Sequence, residues 1–321
     1  MDWTRLAVDG RVTALQRGIC AGVTAEGTAF VARLRLPHER ATTYDDLLVD
    51  SFGVLGVANG DRTRLTGRGA DGRLHVWSAG GGGPADRHSL DAVDAVWAAP
   101  VHNARREHLL TCHLDAGAWR LRVHDHESAL TGGRSLVGDL AVAGEPDTTL
   151  VFGFHRGGPL VVAGRIGDSG PPSAWSLGEG VEGWRRIHLA PTPTSLTSVA
   201  TSEDGRRTWV GGTAHGRPVV YEVLRLPFRG RLRSKPVTVP ALALTDPPAG
   251  RPLVLVDDVD SDRPVFVAAL ERGNRLCWHD GTEWKALPAP DGALHAACAS
   301  GGAVHVLLGR EVWSVADPTG G

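Results

Sequence analysis

Residues 252–287 read PLVLVDDVDSDRPVFVAALERGNRLCWHDGTEWKAL, and their pattern of apolar and turn-forming residues indicates the fold class. Its apolar residues form four short runs, each bounded by Asp, Gly, Asn or Pro, which favour turns. We therefore predict four consecutive β-strands joined by hairpins. Apolar residues at helical spacing are hard to find in any window of about 11 residues elsewhere, so we predict an all-β protein.

A related unit recurs along the chain with a period of roughly 40–50 residues, which is typical of the blades of a β-propeller. We predict one domain, a seven-bladed β-propeller of four-stranded antiparallel blades. The predicted blades span approximately residues 10–50, 51–92, 93–142, 143–190, 191–241, 242–290, and 291–318 together with 1–9. The outer strand of the first blade, within TTYDDLLVD, is the least clearly marked.

The last unit ends in REVWSVADPTGG and contains three predicted strands, whereas the chain begins with a spare strand-like segment, MDWTRLAVDG. We predict that residues 2–8 pair with residues 310–316 and complete the last blade. This pairing closes the ring and removes the exposed strand edges that an open array of blades presents.

The candidate core contains one tryptophan on the third strand of each of five units and four cysteines in apolar, strand-like runs. The tryptophans are Trp77, Trp119, Trp175, Trp278 and Trp313, and the cysteines are Cys20, Cys112, Cys277 and Cys298. No C-x-x-C pair occurs, so neither a zinc ribbon nor a redox motif is expected. We predict that the tryptophans fill the space between blades and that the cysteines are buried.

Two motifs point to propeller families. The segment SEDGRRTW, residues 202–209, resembles the Asp-box of the BNR propellers, although Gly205 comes one place early and Arg206 stands where that pattern has Gly. The resemblance implies a hairpin brace, with Asp204 bonding turn amides and Trp209 packing between blades. Trp-x-x-Leu/Ile units at Trp3, Trp184 and Trp284 are similar to those of tectonin-like propellers, and related propeller lectins bind sugars on aromatic faces.

Sialidase chemistry, which uses a Tyr nucleophile paired with a Glu, is not expected. The chain contains two tyrosines, Tyr44 and Tyr221. Glu222 adjoins Tyr221, but neighbouring residues of a strand point to opposite faces of the sheet and cannot pair. Nucleophile elbows, phosphate-binding loops and H-E-x-x-H helices do not occur in the sequence either.

The charge of the chain restricts its partners. The 34 basic and 36 acidic residues give a formal net charge of −2, so we expect neither nucleic acid nor a membrane surface as a partner. No N-terminal targeting pattern and no run of about 18 apolar residues is found, so we predict a cytoplasmic protein. The Arg-, Gly- and Ala-rich composition is interpreted as that of a high-GC bacterial genome.

Two groups of residues have the composition of metal sites. Asp258, Asp260 and Asp262 alternate as at the start of a calcium loop, but Arg263 and Ala269 replace the Gly and Glu that such a loop needs. The second group, His113, His124 and His126, places three imidazoles on neighbouring strands of one blade. A solvated turn is the favoured explanation of the aspartates, and exposed histidines on an edge strand explain the second group as well as a metal does. We predict no cofactor and keep a divalent metal as the alternative.

Propellers place ligands at the central channel or on the face formed by the loops that enter each inner strand. Candidates from these loops, and from the loops between second and third strands, are Asp9, Arg11, Asp94, Asp115, Asp147, Asp168, Arg217, Arg251, Arg272, His295 and Arg310. The mixture of carboxylates and guanidinium groups favours a polar ligand or a protein surface over an apolar tunnel.

Three classes of function fit this sequence. A non-catalytic propeller that presents its loop face or channel to a protein partner or polar ligand is favoured, because no catalytic constellation is recognised. A lyase or cyclase of specialised metabolism with its pocket in the channel is the first alternative, since propeller enzymes collect residues from several blades. A lectin-like carbohydrate binder is the second, although the polar residues do not repeat between blades.

Overall fold

The computed structural model describes residues 2–8, 10–16, 19–34, 42–44, 54–55, 62–80, 86–90, 95–103, 106–125, 136–142, 151–153, 160–164, 171–177, 185–201, 207–224, 237–241, 250–256, 264–270, 275–279, 284–300 and 303–316. These residues form strands and turns and no helix, so the predicted all-β class is confirmed. No helix in these ranges is long and apolar enough to cross a membrane. The chain divides into two compact units, one of residues 1–141 and 293–320, the other of residues 142–292 and 321.

The strands follow the predicted repeats. The first unit begins with β1 (Thr4–Arg5), β2 (Arg11–Gln16), β3 (Ile19–Val23), β4 (Ala29–Arg33), β5 (Thr42–Tyr44), β6 (Val54–Leu55), β7 (Arg62–Arg68), β8 (Leu74–Gly80), β9 (Asp86–Ser89), β10 (Trp97–Asn103), β11 (Arg106–Asp115), β12 (Ala118–Asp125) and β13 (Leu136–Val142). The second unit contains β14 (Val151–Gly153), β15 (Leu160–Gly164), β16 (Ser173–Leu177), β17 (Arg185–Ala190), β18 (Ser195–Thr201), β19 (Arg207–Ala214), β20 (Arg217–Leu224), β21 (Val237–Pro240), β22 (Gly250–Val256), β23 (Pro264–Leu270), β24 (Arg275–His279) and β25 (Trp284–Pro288). The first unit ends with β26 (Leu294–Ser300), β27 (Ala303–Leu308) and β28 (Glu311–Ala316).

Within the described ranges these strands form seven sheets. Four of them are antiparallel and contain four consecutive strands, β2 to β5, β6 to β9, β10 to β13 and β22 to β25. The first of these contains β5 at Thr42–Tyr44, so the least clearly marked strand is found where it was predicted. Hydrophobic runs separated by short turns are thus sufficient to fix most of the pairing order.

The first strand pairs with the last one. In the sheet ordered β1-β28-β27-β26, Thr4 lies opposite Ser314 and Arg5 opposite Trp313 in an antiparallel ladder. The Leu6 amide extends the contact by donating a 2.9 Å hydrogen bond to the carbonyl of Val312. The pairing predicted for residues 2–8 with residues 310–316 is thus found at residues 4–6, which contact residues 312–314.

Two sheets differ from the predicted four-stranded antiparallel blade. The sheet of β18, β19 and β20 has three strands, and β21 pairs in parallel with β17, placing Ile187 opposite Val237. Ala241, directly after β21, forms an antiparallel bridge with Tyr221 of β20, so this segment contacts both sheets. A strand that follows a long connection need not pair with its predecessor, and here it uses the open edge of β17.

Apolar side chains pack between neighbouring sheets within each unit. In the first unit Val76, Leu90, Ala98 and Leu109 form one buried cluster. In the second unit the buried cluster is Ala174, Ile187, Leu189, Leu196, Val210, Tyr221 and Val223. Each cluster joins strands of successive sheets, which fixes the sheets of one unit face to face.

The predicted tryptophan positions all lie on third strands, on β8, β12, β16, β24 and β28. Trp77 is buried, and it lies opposite Leu65 in the β7–β8 ladder. Cys20, Cys112 and Cys298 are buried, as predicted. Burial raises the pKa of the Cys20 thiol to about 11. The side chain of Cys277 lies outside the described residues.

Candidate functional site

A cleft of about 540 Å³ opens where the first sheet of the first unit meets the sheet that contains β1. Its lining comes from β1, from the start of β2, from the end of β3 and the turn that follows, and from the β27–β28 turn. The lining residues are Arg5, Gly10, Arg11, Val23, Thr24, Ala25, Arg310 and Glu311. The volume is within the range of sites that bind small molecules or a few side chains.

Two short turns shape the rim of this cleft. After β3, the Thr24 amide donates to the Thr28 carbonyl at 2.9 Å, and Gly27 adopts a φ of +88°. Between β27 and β28, Gly309 adopts a φ of +62°, and its amide donates to the Ala293 carbonyl at 2.8 Å. Glycine reaches such φ values without steric cost, so both turns remain tight and place their polar residues at the rim.

Beside the cleft, the backbones of β3 and of the residues that begin β2 approach each other closely. A Cβ atom added to Gly10 would lie 2.2 Å from the Val23 carbonyl oxygen, and one added to Gly22 would lie 2.1 Å from the Arg11 carbonyl oxygen. Real Cβ atoms do not approach backbone so closely, hence β2 and β3 require glycine at both positions. The position of the Arg11 backbone therefore depends on a glycine of the neighbouring strand.

Among the described residues of the cleft lining, guanidinium groups outnumber carboxylates three to one. Arg5 Nη2 lies 2.9 Å from Glu311 Oε1, with the two side chains 63% and 42% exposed. Arg11 and Arg310 are exposed, and within the described part of the chain neither has an ion-pair partner. Because an exposed ion pair contributes only about 0.2–1 kcal/mol, the Arg5–Glu311 contact can open at little cost. The cleft is therefore a cationic surface.

The sequence predicted part of this site. Arg11 and Arg310 were both proposed as loop residues that bind a ligand, and the cleft brings them together. Arg5, Thr24 and Glu311 were missed. Arg5 and Glu311 are strand residues, and a signal for their contact was available in the predicted pairing of β1 with β28, which places these strands side by side.

A second polar cluster lies in the sheet of β6 to β9. His75 Nε2 is 2.9 Å from Asp71 Oδ1, and Arg87 donates from Nε to His75 Nδ1 at 3.2 Å and from Nη2 to Asp71 Oδ2 at 2.5 Å. Since Arg87 donates to Nδ1, His75 donates from Nε2 to Asp71. Hydrogen bonds from His75 and the Arg73 amide, together with the charge of Arg87, hold the pKa of Asp71 below its ordinary value.

This cluster fixes a turn. Asp71 Oδ1 accepts a 3.0 Å hydrogen bond from the Arg73 amide, Gly72 has a φ of +75°, and His75 is buried beside Trp77 with ring centroids 5.4 Å apart. This cluster was not predicted from the sequence. The signal was the Ala-Asp-Gly-Arg turn between two strands, with a histidine four residues after the aspartate.

Two of the three residues of the predicted histidine site lie in the described part of the chain. The rings of His113 and His124 are 5.8 Å apart, and Thr111 Oγ1 is 2.7 Å from His113 Nε2. His126 lies outside the described residues, within which no group of three His, Cys, Asp or Glu side chains suits a metal ion. The metal site at His113, His124 and His126 stays a prediction. Asp258, Asp260 and Asp262 also lie outside the described residues.

The other predicted face residues are dispersed. Asp115 pairs with Arg122 of its own sheet, Arg217 is exposed at the start of β20, and His295 is exposed on β26. Arg251 lies on β22 opposite Ala269. Five of the candidates fall outside the described residues: Asp9, Asp94, Asp147, Asp168 and Arg272.

No protein-family model and no curated protein matches this chain. Among solved structures, the BP39L lectin from Burkholderia pseudomallei is similar, with a TM-score of 0.58 and 15% identity over 98% of this chain and 95% of the lectin. The WD40 repeats of RRP9 give a TM-score of 0.56 and 12% identity over 98% and 97% of the two chains. The Dos1 propeller gives 0.55 and 12% over 93% and 75%. At these identities the similarity concerns the fold alone, and the chain has the fold of a β-propeller.

Proposed function

We propose that this chain is a non-catalytic interaction propeller and that an acidic segment of a protein partner occupies the arginine-lined cleft. We further propose seven blades closed into a ring by β1. Seven sheets in the described ranges and the pairing of β1 with β28 support this architecture. The Asp-box or tectonin-like relationship and the cytoplasmic location also belong to the proposal.

The excess of guanidinium groups in the cleft carries the functional proposal. Arg11 and Arg310 are exposed, and Glu311 is the one carboxylate among the lining residues that the structure describes. Arginine presents its donors as a planar fork that matches the two oxygens of a carboxylate. A surface of this kind attracts acidic segments, even though the formal net charge of the whole chain is −2.

The cleft lining does not favour catalysis. Among its described residues there is no His, Cys, Ser or Tyr. The remaining candidates for a nucleophile and a general base are Thr24 and Glu311, and the Glu311 carboxylate is paired with Arg5. Arginine does not exchange protons near neutral pH. The buried His75 and His113 are occupied within their own sheets, by Asp71 and Thr111.

The lectin alternative is less well supported by this cleft. A similar solved structure is that of a lectin, but no aromatic side chain is among the described lining residues, whereas sugar-binding sites use aromatic faces. The enzyme alternative needs a pocket elsewhere in the chain. Charge recognition by arginine is the chemistry that the described cleft provides.

The test is purification of the tagged full chain from its native cytoplasm, with mass spectrometry of the co-eluting proteins and small molecules. The Arg11→Glu/Arg310→Glu double variant is compared with Arg217→Glu, which reverses an exposed arginine beside a turn of the second unit. Circular dichroism first verifies that both variants fold. We expect the double variant to lose a stoichiometric partner and Arg217→Glu to retain it. Equal retention by both variants, or a retained metabolite without a protein, contradicts the proposal.

A further inference from the structure

We infer that the cleft is a carboxylate-binding site and that Glu311 competes with the ligand as an internal carboxylate. The identity of the ligand as an acidic protein segment rests on the function proposed above. The Arg5–Glu311 contact of 2.9 Å shows that a carboxylate fits among the lining residues. The same contact makes Glu311 the group that an incoming carboxylate must displace in order to reach Arg5.

The backbones of both residues are held in place, whereas their side chains remain free to reorient. Glu311 follows the tight Gly309–Arg310 turn and lies opposite Leu308, and Arg5 lies opposite Trp313. The side chains of Arg5 and Glu311 are 63% and 42% exposed. A ligand can therefore replace the Glu311 carboxylate at Arg5 without disturbing either strand.

The charges of the lining residues determine whether each substitution strengthens or weakens ligand binding. Glu311 neutralises one of the three guanidinium groups and repels any second carboxylate that enters the cleft. An acidic segment with several carboxylates gains charge-assisted hydrogen bonds from Arg11 and Arg310, and it gains a third partner when Glu311 releases Arg5. Neutralising Glu311 must then strengthen binding, whereas neutralising Arg11 or Arg310 must weaken it.

The probe is a fluorescein-labelled hexaglutamate peptide, and its binding to the full chain is measured by fluorescence anisotropy. The variants are Glu311→Gln, Arg11→Gln and Arg310→Gln, with Arg217→Gln as the matched control. Each substitution removes a charge and retains most of the side-chain volume. Titrations at about 20 mM and about 150 mM salt separate electrostatic from other contributions, and labelled hexaglutamine tests the requirement for charge.

We expect Glu311→Gln to lower the dissociation constant roughly two- to fivefold, the change that corresponds to an exposed ion pair. Arg11→Gln and Arg310→Gln should each raise it roughly three- to tenfold. Arg217→Gln should leave it unchanged, and hexaglutamine should not bind. Weaker or unchanged binding by Glu311→Gln overturns the inference, as does an equal effect of Arg217→Gln or the absence of hexaglutamate binding by the unaltered chain.

The two experiments distinguish failure of the Glu311 competition from failure of the proposed function. In one outcome Arg11→Glu/Arg310→Glu loses a cellular partner, but Glu311→Gln does not change hexaglutamate binding. This result supports the proposed interaction function and rejects Glu311 as an internal competitor. In the opposite outcome Glu311→Gln strengthens hexaglutamate binding, but Arg11→Glu/Arg310→Glu retains the cellular partner. This result supports the carboxylate site and shows that this partner does not use it.

Discussion

The Tyr221 hydroxyl donates a 2.6 Å hydrogen bond to the carbonyl oxygen of Pro191. Tyr221 is fully buried on β20, and Pro191 directly follows β17, so this contact joins two sheets of the second unit. The surrounding cluster includes Leu196 and Val210. Burial in these apolar surroundings raises the pKa of Tyr221 to about 12.

Replacement of Tyr221 by Phe should lower the free energy of unfolding by about 1 kcal/mol at neutral pH, because it removes this hydrogen bond. The pKa of Tyr221 is higher in the folded chain than its ordinary value of 10.0. The contribution of Tyr221 to the free energy of unfolding is thus complete below pH 10 and is lost as the pH rises towards about 12. The melting temperature, measured between pH 8 and about 12, should decline less steeply for Tyr221→Phe than for the unaltered chain. Parallel profiles for the two proteins would contradict this explanation.

Acidification should destabilise the sheet of β6 to β9 through Asp71. The pKa of Asp71 is lowered in the folded chain, so its stabilising effect is present above the ordinary pKa of an aspartate and is lost as the pH falls through the folded value. We expect the melting temperature of Asp71→Asn to fall less than that of the unaltered chain on acidification from pH 6. Asp86→Asn, an exposed change on β9, serves as the control and should show the unaltered slope.

Removal of β1 should destabilise the first unit by about 2–4 kcal/mol, because several ladder hydrogen bonds of about 1 kcal/mol each are lost and β28 becomes an open edge. Deletion of residues 1–8 tests this by chemical denaturation and by light scattering, which detects edge-to-edge association. Leu6→Pro removes the single amide that donates to Val312 and should have a smaller effect of the same sign. Asp2→Ala is the control, and unfolding of the deletion at the unaltered midpoint would reject the role of β1.

The close approach of β2 and β3 predicts an unequal response to two glycine substitutions. Gly22→Ala places a Cβ atom 2.1 Å from the Arg11 carbonyl oxygen, so we expect a loss of at least about 2–3 kcal/mol. Gly27→Ala meets no atom within 4 Å and should cost only about 1 kcal/mol for its positive φ. Urea denaturation of both variants measures the difference, and equal losses would show that the strands separate easily.

Much of the fold was predictable because hydrophobic alternation and turn residues are local signals. Trp77 and Trp313 lie on third strands opposite Leu65 and Val306, as the recurring pattern requires. The partner of β21 was not predictable, since the open edge of β17 is created by tertiary packing and leaves no mark in residues 237–240. Strand existence is thus encoded locally, whereas strand pairing after a long connection is not.

The candidate site was predictable only in part. Arg11 and Arg310 border turns, where the sequence pattern directs attention to polar residues. Arg5 and Glu311 lie on strands, and their ion pair depends on the register of β1 against β28, which places Arg5 opposite Trp313. A sequence pattern predicts that two strands meet but not which side chains then lie within 3 Å of each other.

The pairing of Arg5 with Trp313 also sets the order in which the chain can fold during translation. The ribosome produces Arg5 about 300 residues before Trp313, which at roughly 5–20 residues per second is an interval of roughly 15–60 s. During that interval β28 is not yet available to β1. Completion of this sheet therefore has to wait until the intervening blades have been synthesised.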